Sequence, residues 1–294
     1  MVEITYRYEA QEMPAKPRPL NSDAALARLN DGNRAFAGLL DGLKGENSQA
    51  RLVVEIDPGD LGLTRGEAKA PKQRPFAAVL GCSDARVPVE LVFSEGPNDL
   101  FVVRVAGNGL GMEVLGSLKY AVEHLGGSLK LIVVLGHSGC GALTAAVDVF
   151  LNPSDYLPLA AKHSLRDVLD RLLVVVNASE RKLRRQFGSD VALRPGYRQA
   201  LIEASIITNA ALAAYSIQQE IATSHPTELR VVYGIYLIES REVWAPCLDK
   251  TKGVKLAAPP CDPQGFDELA KAIVQSDRIG SLVGAKPPSQ RTEC

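Results

Sequence analysis

Two short segments of this chain bring together residue types that can do chemistry. Gly81-Cys82-Ser83-Asp84-Ala85-Arg86 offers a thiol, a carboxylate and a guanidinium, and Gly136-His137-Ser138-Gly139-Cys140-Gly141 offers an imidazole and a second thiol. Two thiolates and an imidazole are a natural ligand set for Zn2+, and catalytic zinc typically has three protein ligands and an open fourth position for water. The His-x-x-Cys spacing lets both side chains reach one ion as the chain turns, and Gly139 and Gly141 permit that turn. Asp84 and Arg86 are close enough in a loop for their side chains to meet. A carboxylate beside a guanidinium stays ionised, and the planar fork of Arg86 can hold it in one pose. Asp84 could then orient the attacking water or hydroxide, or swing onto the metal as a fourth ligand.

Each segment alone has a plainer reading. A buried cysteine is commonly just a small apolar residue, and a loop salt bridge is worth little. The shared context of the two segments is what favours metal chemistry. Each directly follows a short apolar run ending in glycine, Phe76–Gly81 for the first and Leu129–Gly136 for the second. Such runs read as buried strands. Leu100–Val105 and Arg230–Leu237 are two more. Between the second and third runs, Val114, Leu118, Val122 and Leu125 mark one helical face. Strands alternating with helices predict βαβ crossovers, hence an α/β fold with a central parallel sheet flanked by helices. Sites in such sheets form at the carboxyl ends of the strands. If the first and third strands are neighbours, Cys82, His137 and Cys140 converge there.

The remaining chain frames this core. Residues 1–21 read as an extended N-terminal arm, and Leu26, Leu29, Phe36 and Leu40 follow with helical spacing after the plausible N-cap Ser22. Residues 42–72 read as a long surface loop, 164–187 and 197–224 as two long helices, and 251–294 as a C-terminal tail with a short helix near Phe266–Gln275. Residues 22–250 then form a single zinc-binding domain. The formal net charge of -1 gives no reason to expect nucleic acid or an anionic membrane as partner. No apolar run reaches the roughly 18 residues expected of a spanning helix. Five cysteines, sparse and odd in number, do not make a disulfide framework, and no Cys-x-x-Cys supports a redox centre. A cytoplasmic setting is expected. Gly107-Asn108-Gly109-Leu110-Gly111-Met112 is glycine-rich but misses the Gly-x-Gly-x-x-Gly spacing of a dinucleotide loop.

The segments Cys82–Val87, Val103–Asn108, Tyr120–Leu125 and Gly136–Ala142 together resemble the β-class carbonic anhydrases, and residues 24–37 resemble that family's N-terminal helix. The resemblance implies reversible hydration of carbon dioxide to bicarbonate by a zinc-bound hydroxide. It implies Cys82, His137 and Cys140 as ligands, with Asp84 as a fourth in a closed state. It also implies a homodimer or larger homo-oligomer whose N-terminal helix packs on the partner subunit. Gln73, nine residues before Cys82, matches a substrate-orienting glutamine of the always-open members. Val79 stands where the bicarbonate-inhibited type carries tryptophan. Ala85 and Val105 depart from the common pattern, and residues 42–72 and 151–196 differ from typical members. Hydrolysis of carbonyl sulfide or carbon disulfide on the same scaffold, and a non-catalytic zinc scaffold, are the alternatives.

Overall fold

The computed structural model describes residues 1–8, 17–43, 49–63, 70–161, 163–222, 229–246 and 255–284. The chain begins with strand β1 (Val2–Arg7), helix α1 (Ser22–Ala37) and strand β2 (Ala50–Glu55). The core follows as β3 (Ala77–Gly81), α2 (Val89–Val92), β4 (Leu100–Arg104), α3 (Met112–Leu125), β5 (Leu131–His137) and α4 (Gly141–Leu151). Helices α5 (Tyr156–Ala160), α6 (His163–Phe187) and α7 (Tyr197–Ala222) lead to β6 (Arg230–Tyr236) and β7 (Val243–Trp244). Two further helices, α8 (Pro263–Gln275) and α9 (Asp277–Gly280), complete the described chain.

The main sheet has the order β4-β3-β5-β6-β7; the first four strands run parallel and β7 is antiparallel. All four expected core strands are present within two residues of their expected limits. Their apolar runs are continuous because both faces of a parallel sheet are covered. Ala78, Leu80, Ile132 and Val134 face α3, α4, α6 and α7, whereas Ala77, Val79, Leu131, Val133 and Leu135 join Leu29 and Phe36 of α1 on the other face. Strands β3 and β5 are direct neighbours, with Gly81 opposite Leu135, so the condition for convergence of the two motifs is met.

Three features differ from the sequence expectations. The expected loop 42–72 contains β2, which pairs in parallel with β1 inside the expected arm. Its signal is a short alternation, Ala50, Leu52 and Val54 buried and Arg51 and Glu55 exposed, within a charged stretch. Residues 9–16, 44–48 and 64–69 of those two expected segments lie outside the described residues. One face of helix α1 packs on its own sheet, where Ala25 and Leu29 are fully buried and Arg28 pairs with the buried Glu95 and with Asp99; this contact is separate from the one expected with a partner subunit. Within the expected C-terminal tail, α8 and the segment after it bury Leu269, Ile273, Ile279 and Val283 in the same core as α7. Finally, α7 is long and apolar enough to cross a membrane, but 78% of its apolar window is buried within the chain. It packs against β5 and β6, where a core helix has the same composition as a spanning one.

Candidate active site

Cys82 is the first residue past β3, His137 is the last of β5, and Cys140 is the N-cap of α4. The turn between His137 and Cys140 needs Gly139 at φ +63°, a left-handed conformation that side chains with a Cβ resist. The outcome is a compact cluster: one sulfur from each cysteine and a ring nitrogen of His137 all lie within 4.8 Å of one another, and all three residues are buried.

The hydrogen bonds around the cluster select a metal-binding form. His137 Nδ1 lies 3.0 Å from the carbonyl oxygen of Ser138, which can only accept, so Nδ1 carries the proton. Nε2 is then the lone-pair nitrogen, and it is buried with no hydrogen-bond partner. An orphaned acceptor of this kind beside two thiols is costly unless something electrophilic meets it. Cys82 accepts a 3.3 Å hydrogen bond from the Gly107 backbone N–H. That N–H is presented by a tight turn with Gly107 at φ +65°, and its carbonyl is held by the Asn209 side chain at 2.9 Å.

The two thiols compete to ionise. Cys140 beside it draws the Cys82 thiol down, against the upward push of burial. Cys82 in turn, together with burial, pushes the Cys140 thiol up, against the pull of the Leu143 and Ala142 N–H groups. A divalent cation removes that competition, because a coordinating thiol is deprotonated outright. Donor chemistry, spacing and the orphaned nitrogen all fit a metal ion.

Asp84 lies at the rim. Its Oδ2 is 3.8 Å from His137 Nε2. Arg86 grips the carboxylate with Nε at 3.0 Å from Oδ1 and Nη2 at 2.7 Å from Oδ2, while its backbone N–H bonds Oδ1 at 2.9 Å. Arg86 holds the Asp84 carboxyl well below the usual carboxylate range, outweighing the upward push of burial. Arg86 also donates to the Gly139 carbonyl at 3.2 Å, so it bridges the two ligand loops.

The structure therefore gathers Cys82, His137, Cys140, Asp84 and Arg86 in one place. Gln73 is elsewhere. It precedes the N-terminal end of β3, beside Pro75 and Phe101 in a cavity of about 320 Å³, and the cysteine and histidine ligands sit past the opposite end of that strand. Val79 is fully buried within β3. Cys261 is an exposed free thiol, whereas Cys247 and Cys294 lie outside the described residues. Two supporting groups had no role assigned from the sequence. Arg104 donates to the carbonyls of Cys82 and Asp84, and Asn209 supports Gly107 from α7. Arg104 was visible as part of a motif, but Asn209 has no local signal.

A family model described as carbonic anhydrase matches residues 77–243, more than half of the chain. The chain belongs to the carbonic anhydrase family. All four core segments that resemble the β class fall inside the matched residues, and the β-class expectation holds. A carbonic anhydrase of Mycolicibacterium smegmatis is 38% identical over 155 residues, which is 52% of this chain and 63% of that protein. Carbonic anhydrase 2 of Mycobacterium tuberculosis is 42% identical over 106 residues, 35% of this chain and 46% of that protein. The chain thus spans less than two thirds of the length of these curated relatives. A Coccomyxa β-carbonic anhydrase in complex with acetazolamide aligns with 76% of this chain and 87% of its own, at 20% identity and a TM-score of 0.47.

Proposed function

We propose that this protein catalyses the reversible hydration of carbon dioxide to bicarbonate at a zinc ion held by Cys82, His137 and Cys140. The observation that carries the reading is the buried cluster of two sulfurs and an unpartnered Nε2, with an ionised carboxylate at its rim, in a chain of this family. Bound zinc lowers the pKa of water from 15.7 to about 7 and so supplies hydroxide at neutral pH. The chain's own residues do the rest. Asp84, held as an anion by Arg86, would accept a hydrogen bond from the attacking hydroxide and aim its lone pair at the carbon of carbon dioxide. The proton that balances the overall reaction leaves when the water ionises to hydroxide and passes to buffer.

The grip of Arg86 on both Asp84 oxygens supports an open site rather than a closed one with Asp84 as ligand. It weighs equally against a permanently closed, non-catalytic scaffold. A reducing compartment suits the site, since oxidation of the adjacent thiols would remove two ligands. Gln73 lies at the far end of β3, so any part it takes in orienting substrate requires the zinc site of a second copy. That requirement fits the expected homodimer. The test is zinc content and carbon dioxide hydration in the parent, Cys82→Ser and His137→Ala. Both variants should lose zinc and activity together. Full activity in metal-free protein would sink the reading.

A further inference from the structure

Outside the ligand cluster, a polar relay among the described residues ends at the acceptor of His137. Ser138 is fixed by three hydrogen bonds. Its backbone N–H donates to the Tyr236 carbonyl at 3.0 Å, its hydroxyl accepts from the Ile238 N–H at 2.9 Å, and the same hydroxyl donates to Glu239 Oε2 at 2.6 Å. Glu239 Oε1 in turn accepts from Arg278 Nη1 at 2.6 Å. Arg278 belongs to α9, beyond the residues that the family model matches. Its Nε is anchored at 2.7 Å on Glu203 of α7, a buried carboxylate that also accepts from Gln199 at 3.0 Å.

The segment that carries Arg278 is itself tightly seated. Ile279 is fully buried, Arg194 donates to the Val283 carbonyl at 2.8 Å, and the chain passes so close to Gly196 that a Cβ there would meet the Leu282 oxygen at 1.8 Å. Arg278 is therefore a fixed post, and it acts on a group in the ligand loop. The carbonyl of Ser138 accepts from His137 Nδ1, which sets the tautomer and the ring plane of a metal ligand.

We propose that Arg278 is a positioning residue for the metal ligand His137, acting through Glu239 and Ser138. The C-terminal segment thus completes the outer support of the metal centre. The inference rests on the zinc reading above, and its test reads metal binding rather than hydration. Outer partners of metal ligands typically contribute 10- to 100-fold in affinity. Glu239 is half exposed, which places the expected effect at the low end of that range.

In the full chain, zinc release to a chelator and the visible spectrum of the cobalt(II)-substituted protein are measured for the parent, Arg278→Met and Arg278→Lys. Arg278→Met should release zinc about 10-fold faster, with shifted cobalt bands. Arg278→Lys, which keeps a cation beside Glu239, should recover most of the loss. In a Ser138→Ala background, Arg278→Met should have little further effect. Folded variants that match the parent within about twofold overturn the proposal, as does a full additional loss in the Ser138→Ala background. Should Arg278→Met fail to fold, Glu239→Gln on its exposed turn carries the test, with accelerated release expected and parental release overturning the proposal. A parent that takes up neither zinc nor cobalt overturns the zinc reading and this proposal with it. Variants equal to a metal-binding parent overturn this proposal alone.

Discussion

The two loops that make the metal cluster are built in opposite ways. The loop after β3 brings one ligand, Cys82, and then runs outward to Asp84 and Arg86. It is held by side chains: Arg104 on two carbonyls, and Arg86, itself 57% exposed, on Asp84. The loop after β5 brings two ligands and is held mainly by backbone geometry, with Gly139 in the left-handed region and Cys140 at the N-cap position of α4, and by the Ser138 hydroxyl, which ties it to Ile238 and Glu239. The first loop is a place where a charged group can work against substrate. The second keeps ligands still. On the proposed reading, catalytic chemistry and metal retention are divided between two strand ends that lie side by side.

That division can be broken by substitution. The largest effect expected on the first loop is Asp84→Asn, which should slow hydration roughly 100-fold, within the usual contribution of a positioned acid or base, while zinc stays bound. Stopped-flow hydration with parallel metal analysis decides it; a parental rate would remove the orienting role, and lost zinc would erase the division. Next comes Gly139→Ala on the second loop. A Cβ there meets no atom within 4 Å, so only the φ of +63° resists it. The strain of about 1–2 kcal/mol should weaken zinc binding by about 10-fold, and Gly139→Asn should weaken it less, since asparagine visits that region more readily. Chelator competition measures both. The smallest effect is expected for Arg104→Met, which frees the carbonyls of Cys82 and Asp84. It should lower unfolding stability by about 1 kcal/mol and leave zinc affinity less changed than Gly139→Ala does. A larger loss of affinity would show that the first loop also governs retention.

What the sequence made legible follows the same line. Cys82, His137 and Cys140 stood out because rare residue types fell at the ends of strands that apolar runs had already marked. Asp84 and Arg86 were legible because they meet within one loop. Glu239, Arg278 and Asn209 were not. Each is an ordinary polar residue far along the chain from what it supports: Glu239 is 101 positions from Ser138, Asn209 is 102 from Gly107, and Arg278 comes from a separate element, so only tertiary packing brings them near. Strand β2 was hidden because its alternation covers only six residues amid charges. Gln73 shows a different limit. Its distance in sequence from Cys82 is short, yet an intervening strand carries the two to opposite edges of the sheet.

The adjacency of β3 and β5 has a thermodynamic consequence. Gly81 lies opposite Leu135, so Cys82 sits one strand spacing across from β5, about 4.8 Å in any sheet, and one residue short of His137; the width of the centre depends on the ladder. An ion seated there would clasp two hydrogen-bonded strands and favour the native state, where its three donors are already gathered. Free metal at 100 times its dissociation constant would add at most about 2.7 kcal/mol to folding stability, less whatever binds the unfolded cysteines and histidine. The cell's metal supply would then act on the lifetime of the whole sheet, as well as on its catalysis.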